Sequence, residues 1–271
     1  MSSPTLAFVS LDRDHPGFRD PVYRNRRNEI AGVATRYQPG DPIPDIDYTA
    51  REHEVWATVL ANLGPLHQRY ACRPYVEGSR RVELPKASIA QLRQVNSTLE
   101  AITGFRLQPV AGLVTPHVFL TFLARRVFLA TQYIRHHSAP LYTPEPDVVH
   151  ELVGHVPLLA DAEVARIHEL FGKTAERVHE ARAEALIRAY WYTMEFGLVR
   201  EGDALRAIGA GLLSSYGELG RFEASANLRP LDLDVAAATP FDTSSYQGTL
   251  FVAESSEKMF DELSRWLRAF P

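Results

Sequence analysis

The stretch Pro144-Glu145-Pro146-Asp147-Val148-Val149-His150-Glu151-Leu152-Val153-Gly154-His155-Val156-Pro157 decides how the chain is read, because it sets two imidazoles five residues apart in a segment of helical composition. An α-helix advances about 100° per residue, so positions five apart lie about 140° from one another and cannot easily share a ligand. Gly154 permits non-helical dihedrals, and Pro157 disfavours the helical region for Val156. The sequence therefore predicts that the helix ends between the two histidines, with His155 on an unwinding last turn. At the other end Pro146 suits a first helical position, and Asp147 and Glu151 suit the positive end of the helix dipole. The expectation is a short helix carrying one ligand on its body and one at its exit.

Spacing five differs from the His-Glu-x-x-His pattern of zinc proteases, in which both histidines share one helical face at spacing four. Two histidines with one carboxylate on one side of an octahedral iron(II) leave positions open for oxygen and substrate. Taken alone, the histidines fit equally well a surface helix with ordinary exposed or core imidazoles. A carboxylate candidate stands in Ala189-Tyr190-Trp191-Tyr192-Thr193-Met194-Glu195-Phe196-Gly197-Leu198. Burying Glu195 unpaired among those aromatic and apolar neighbours is costly, so it needs a cation, a donor or a metal. A salt bridge to Arg188 or Arg200, or a snorkelled exposed position, stays open as the alternative. Glu184 and Glu169 are rival carboxylates, but their neighbours are polar and both read as solvated.

The 271 residues are 45% hydrophobic and 23% charged, enough for a large core in one domain or two intimate ones. A net charge of −4 supplies no basic field for nucleic acid or for acidic membranes. Cys72 is the single cysteine, so no intramolecular disulfide can form and a reducing cytoplasm is the natural compartment. Met1 to Ser10 lacks the basic start and apolar core of a signal peptide. The longest apolar stretch, Val118 to Tyr133, is interrupted by Arg125 and Arg126 and is no membrane span. The expectation is a soluble intracellular protein.

Residues 1–47 read as an irregular arm rich in proline and charge, with helical composition only over Val22 to Tyr37, and residues 48–271 as a helical body. Thr49 with Glu52 and Glu54 opens a helix to about His67. Ser88 is read as the cap of another, with Ile89, Leu92, Val95 and Leu99 as its buried stripe and Thr103-Gly104 as its stop. Pro109 to Thr115 reads as a loop or short extended piece, and Val118 to His136 as a long, mostly buried helix. Helices over Ala162 to Gly172 and Thr174 to about Leu198 follow the histidine stretch. Gly209 to Gly220 is glycine-punctuated, Phe241 to Ala253 has strand and turn composition, and Ser255 to Phe270 closes as an amphipathic helix. The class is mainly α with minor β.

Several longer motifs share one order along the chain. They are Gln132-Tyr133-Ile134-Arg135-His136, Tyr142-Thr143-Pro144-Glu145-Pro146-Asp147 through His155-Val156-Pro157, Tyr190-Trp191 through Glu195-Phe196-Gly197-Leu198, and Gly209-Ala210-Gly211-Leu212-Leu213-Ser214-Ser215-Tyr216-Gly217-Glu218. Together they resemble the pterin-dependent aromatic amino acid hydroxylases, from Asp14-His15-Pro16-Gly17-Phe18 to Val252-Ala253-Glu254-Ser255. The likeness is nearest to the catalytic domain of phenylalanine hydroxylases.

The resemblance implies a single catalytic domain with iron(II) held by His150, His155 and Glu195. It also implies tetrahydrobiopterin or a related reduced pterin as electron donor and dioxygen as co-substrate. It places Phe119 against the pterin, with the backbone around Gly112-Leu113-Val114 and the Glu151 carboxylate at the pterin's polar edge. It assigns Arg135 to the substrate carboxylate, Asp147 to orienting that guanidinium, Thr143 and Ser214 to the backbone end of the substrate, and Pro146, Trp191 and Phe196 to its aromatic ring. Tyr190 and Glu218 fall near iron and pterin as supporting residues.

Two departures from the pattern stand out. Leu129 occupies a pterin-side position where the animal enzymes have histidine, and Thr243, at a position that separates the phenylalanine, tyrosine and tryptophan enzymes, fits none of them cleanly. Trp191 leans towards the phenylalanine enzymes. The regulatory domain and oligomerisation arm of the animal enzymes have no room here, so a monomer, or at most a weak dimer, is expected. The reading is ring hydroxylation of free L-phenylalanine to L-tyrosine. Alternatives are meta-tyrosine formation, hydroxylation of L-tryptophan at position 5, a zinc hydrolase on the same ligands, and a non-catalytic pterin- or amino-acid-binding protein.

Overall fold

Asp20 sets the start of α1 (Pro21–Arg36): its side chain accepts from the Val22 and Tyr23 amides, and Pro21 fills the first turn. The computed structural model in which this is seen describes Leu11, residues 13–243 and residues 245–271; Met1–Ser10, read above as no signal peptide, Asp12 and Ser244 lie outside the described residues. Several contacts fasten the arm to the body. Arg27 pairs with Glu145 and its guanidinium lies 4.0 Å from the Tyr133 ring centre, while the Tyr23 hydroxyl donates to the Ile134 carbonyl at 3.0 Å.

The Thr49–Glu52 capping box opens α2, as the sequence predicts, but α2 (Ala50–Tyr70) runs past His67. A further helix, α3 (Arg73–Val82), follows it. α4 (Leu92–Thr103) is capped by Gln91 exchanging bonds with Gln94, not by Ser88. Ile89 is buried on the approach to the helix, where its amide donates to His53 Nδ1 at 3.1 Å. Gly104 ends α4 in the left-handed region at φ 75°, which glycine adopts without a Cβ penalty.

The long helix expected over Val118 to His136 is absent. The chain instead forms β1 (Arg106–Pro109), α5 (Pro116–Leu123) and β2 (Val127–Ala130), then continues extended to His136. Arg126 turns the chain at φ 55°, held by Glu169 and by the Thr103 carbonyl. β2 pairs parallel with β1, from Arg106 opposite Val127 to Pro109 opposite Ala130. A segment buried on all faces has no periodicity to separate strand from helix, and the partner strand decides it.

The histidine stretch continues helically into α6 (Val156–Leu159), and α7 (Ala162–Arg177) is unbroken at Gly172. Glycine serves there for close approach, since a Cβ would lie 2.0 Å from the Ala124 nitrogen at the end of α5. The break expected near Thr174 comes at Val178–His179, before α8 (Glu180–Tyr190). β3 (Leu198–Glu201) and β4 (Ala204–Ala207) form an antiparallel hairpin. The short helices α9 (Ala210–Ser214), α10 (Tyr216–Leu219) and α11 (Phe222–Ser225) occupy the glycine-punctuated region and the residues just beyond it. β5 (Asn227–Pro230), α12 (Leu233–Ala238), β6 (Thr249–Ala253) and α13 (Ser256–Ala269), capped by Ser255, complete the described chain. The second sheet has the order β4-β3-β6-β5, with β6 parallel to both neighbours.

The class is thus mainly α with minor β. The core is continuous through Trp56, Leu63, Phe105, Phe171, Leu186, Leu213 and Leu263. Cys72 is buried and free, and burial pushes its thiol up to about 12. Among the described residues no helix is long and apolar enough to cross a membrane.

Two helical glycines separate packing from propensity. Gly172→Ala forces the α5–α7 contact apart and is expected to cost about 1–3 kcal/mol. In Gly32→Ala the new methyl meets only the tip of Arg36, at 3.6 Å, and a gain of up to about 1 kcal/mol is expected. Urea unfolding of both variants beside the parent checks the opposite signs.

Candidate active site

Gly154 and Pro157 do not unwind the helix between His150 and His155. Residues His150–His155 form a π-helical segment, closed by the Val156 amide donating to the Glu151 carbonyl five residues back. Bonds from i to i+5 widen the turn, so residues five apart return to nearly one face. Pro157 has no N–H to give, and the Val153 carbonyl it would have served in an α-helix accepts instead from the Tyr75 hydroxyl at 2.9 Å. Gly154 has a packing role: a Cβ there would lie 2.6 Å from the Ala210 carbonyl oxygen. The correction to the sequence reading is a widened helix in place of an unwound one.

A second π segment, Trp191–Glu195, ends α8 and is closed by the Phe196 amide donating to the Trp191 carbonyl at 2.8 Å. It delivers Glu195 to the two histidines. The His150 and His155 Nε2 atoms lie 3.0 Å apart. Glu195 Oε1 is 3.2 Å from His155 Nε2, and its Oε2 is 3.6 Å from His150 Nε2. The rival carboxylates lie elsewhere: Glu184 pairs with Arg188, and Glu169, less solvated than its neighbours suggested, is held between Arg126 and Lys173.

These donors suit a divalent cation. Burial, only partly offset at His150 by the Glu195 carboxylate, pulls His150 down to about 4 and His155 to about 3, so both imidazoles are neutral near pH 7. The Ser214 hydroxyl, which donates to the Gly211 carbonyl at 3.2 Å, lies 3.0 Å from His150 Nδ1. With Ser214 accepting the Nδ1 proton, His150 Nε2 presents a lone pair to the cup, the tautomer that a metal ligand needs. Glu195 is pushed up by burial, against the pull of the nearby imidazoles and the Gly211 amide. A cation among the three would relieve that cost. Glu151 also brings a carboxylate oxygen within 4.8 Å of a ring nitrogen of each histidine. Its Oε1, however, accepts from the Thr131 amide and hydroxyl at 3.2 and 3.0 Å, and burial raises Glu151 to about 8, so it mostly keeps its proton at neutral pH. Glu195 is the nearer and better-placed oxygen donor.

Asp147 ties this cup to Arg135. Its Oδ2 accepts from the Arg135 amide at 2.7 Å and from Nε at 2.9 Å, while its Oδ1 accepts from Nη2 at 2.8 Å and from the His150 amide at 3.2 Å. Burial works against ionising Asp147, but the Arg135 charge and these bonds outweigh it and hold the carboxyl below its ordinary range. Asp147 occupies the Nε–Nη2 edge of the guanidinium and leaves the Nη1–Nη2 end for a second carboxylate, in the fork geometry that suits one.

Aromatic groups stand beside the cup. Trp191 packs on Phe196 with ring centres 4.6 Å apart and stacks on Phe241 at 4.2 Å. Its indole N–H donates to Gln247 Oε1 at 2.9 Å, and the Gln247 amide donates to Glu218 Oε1 at 2.6 Å. Burial raises Glu218 to about 7. Phe119, half-buried, meets Phe128 and Tyr190 edge-on at 5.2 and 5.7 Å. The buried Tyr190 hydroxyl has no hydrogen-bond partner among the described residues. Thr143 bonds within its own loop to the Glu145 carbonyl at 3.0 Å, with Pro146 half-buried next to it. Val114 is half-buried, Leu129 is buried and Thr243 is exposed. Sequence reading missed the parts played by Thr131, Phe241 and Gln247. Thr131-Gln132 had left a trace, as the polar interruption in the otherwise apolar run from Val127 to Ile134.

Residues 5–271 match the family model described as biopterin-dependent aromatic amino acid hydroxylase. The rat tyrosine 3-monooxygenase is 45% identical over 94% of the chain, and the rat phenylalanine-4-hydroxylase 44% identical over 97%. The chain spans 52% and 58% of those relatives, about half the length of each. The phenylalanine hydroxylase of Chromobacterium violaceum, solved with bound oxidised Fe(III), superposes with a TM-score of 0.79 at 33% identity, covering 89% of this chain and 88% of that one. A match over nearly the whole sequence places this chain in the biopterin-dependent aromatic amino acid hydroxylase family.

Proposed function

We propose that the chain hydroxylates the ring of a free aromatic L-amino acid, with L-phenylalanine as substrate and L-tyrosine as product. The observation that carries this reading is the convergence of His150, His155 and Glu195 on one point, tied through Asp147 to a guanidinium with one open edge. Iron(II) on the three donors, with a reduced pterin giving two electrons, supplies the activation of dioxygen that ring hydroxylation needs. The chain's own work is binding, orientation and exclusion of water. Arg135 grips the amino acid carboxylate by its Nη1–Nη2 end, and Asp147 keeps that grip in register with His150. Trp191, Phe196 and Pro146 wall the ring, and the Glu218–Gln247 bond holds the indole in place. Phe119 offers a ring face to the pterin, while the Glu151 carboxyl stands at its polar edge and Val114 offers backbone contacts. Thr143 and Ser214 complete the surroundings of the substrate's backbone end.

An aromatic wall favours phenylalanine, because a ring hydroxyl buried without a partner is costly. L-Tyrosine is the second reading, supported by tyrosine 3-monooxygenase relatives as similar as the phenylalanine hydroxylases. The deciding experiment gives iron-loaded protein a reduced pterin, oxygen and separately phenylalanine, tyrosine or tryptophan, and resolves products by ring position. Para-tyrosine is expected. Dihydroxyphenylalanine, meta-tyrosine or 5-hydroxytryptophan would move the substrate or ring position, and no product with iron bound would end the hydroxylase reading. Turnover of a hydrolysable substrate by zinc-loaded protein without pterin would favour the hydrolase.

Two variants test the roles. Glu195→Ala should lose most bound iron and nearly all activity while keeping its circular dichroism; full iron occupancy would remove Glu195 from the ligand set. Arg135→Lys keeps a cation for Asp147 but loses the fork, so KM for the amino acid should rise by about 30-fold or more, with iron content unchanged. A parental KM would assign the carboxylate to another cation.

A further inference from the structure

We propose that Asp20, His136 and His137 form a second transition-metal site, separate from the His150–His155–Glu195 cup, that takes zinc(II) or an ion of similar preference. Three ligating side chains meet there from two distant parts of the chain: the cap of α1, and the end of the extended segment that follows β2. One donor atom from each lies within 4.8 Å of the other two. His136 Nε2 is 3.1 Å from Asp20 Oδ2, and the His136 and His137 ring centres are 4.2 Å apart. Two donors at about 2.0–2.1 Å from a tetrahedral zinc are about 3.3 Å from each other, a spacing that His136 and Asp20 already have and that His137 reaches by closing in from within 4.8 Å.

The supporting contacts suit ligation. The Asp20 cap bonds use Oδ1, which leaves Oδ2 for the histidine side. His136 is buried, with Tyr23 edge-on at 4.9 Å, and its Nδ1 lies 2.7 Å from Ser138 Oγ. The Ser138 amide donates to His136 Nδ1 at 3.3 Å, so in the metal-free chain Nε2–H points at Asp20 Oδ2; ligation moves that proton to Nδ1, where Ser138 Oγ at 2.7 Å accepts it, as an outer partner does for a ligating imidazole. A plain histidine–aspartate hydrogen bond accounts for two of the three residues. It does not account for His137, which brings a second imidazole nitrogen to the same place. Two nitrogens and one oxygen select zinc, cobalt, nickel or copper over calcium or magnesium, and His137, exposed to solvent, leaves water to complete the shell. Asp20 supplies one negative charge, and the Arg51 charge reaches His137, so affinity is set by geometry more than by charge.

An ion here would staple the start of α1 to the residues next to Arg135, and stability reports it, since a ligand that binds only the folded chain raises Tm. The experiment adds zinc chloride to tag-free, iron-loaded protein while counting zinc bound and iron retained and recording Tm. One zinc per chain beyond any that replaces iron, together with a higher Tm, is expected. His137→Gly should abolish that equivalent and the Tm rise, with iron content and hydroxylase activity as in the parent. Asp20→Asn, which keeps a capping oxygen, should weaken zinc binding by tenfold or more. No zinc beyond that exchanged for iron, or an extra equivalent that persists in His137→Gly, would overturn the proposal. Neither result depends on which amino acid is the substrate.

Discussion

The buried carboxylate of Asp147 is the contact on which the site depends. With four accepted hydrogen bonds it fixes the Arg135 backbone, the Arg135 guanidinium and the first turn of the helix that carries His150. A charge pair this deep is retained at a desolvation cost, and breaking it from one side typically costs about 3–5 kcal/mol. Its value here is positional, because one carboxylate relates the Arg135 guanidinium to the backbone of His150. The Tyr133 carbonyl, which accepts from the Val148 amide at 2.8 Å, closes the same junction from the other side.

Around that junction the two donor-bearing helices are both widened. His150–His155 and Trp191–Glu195 each close with a bond spanning five residues, and each packs against the segment from Gly209 to Ser214. That segment approaches so closely that a Cβ on Gly209 would lie 2.3 Å from the Glu195 carbonyl oxygen. Its far end carries Ser214, which selects the His150 tautomer. One short helix therefore sets both the position of the carboxylate donor and the proton state of an imidazole donor. Such control is typical of metal sites, where the groups behind the ligands decide how the ligands face.

The arm before Tyr48 belongs to this machinery as packing. Arg27 reaches Glu145 and covers Tyr133, and His15 Nε2 stands 3.6 Å from the same Glu145 carboxylate. Glu145 precedes Pro146 and Asp147 in the loop that leads to the histidines. The contacts of the arm thus bear on the loop that presents Asp147.

The sequence by itself determined the features that need only a few neighbouring residues. The caps at Thr49 and Ser255, the stop at Gly104 and the amphipathic final helix are decided by local dihedrals and local hydrogen bonds, and they stand where the chain indicates. Glu195 stood out locally as well, because a carboxylate among aromatics is costly unless paired, whereas the grouping of His150 and His155 with it and the role of Arg135 came only from the resemblance of the motifs to a known family. Tertiary structure decided the rest. Val127 to Ala130 is a strand because β1 offers it a parallel partner; alone, a run apolar on every face is equally a helix. His150 and His155 share a face because Tyr75 takes the carbonyl that Pro157 cannot serve and Ala210 presses on Gly154. Those contacts lie far away in the sequence, and no local rule could supply them.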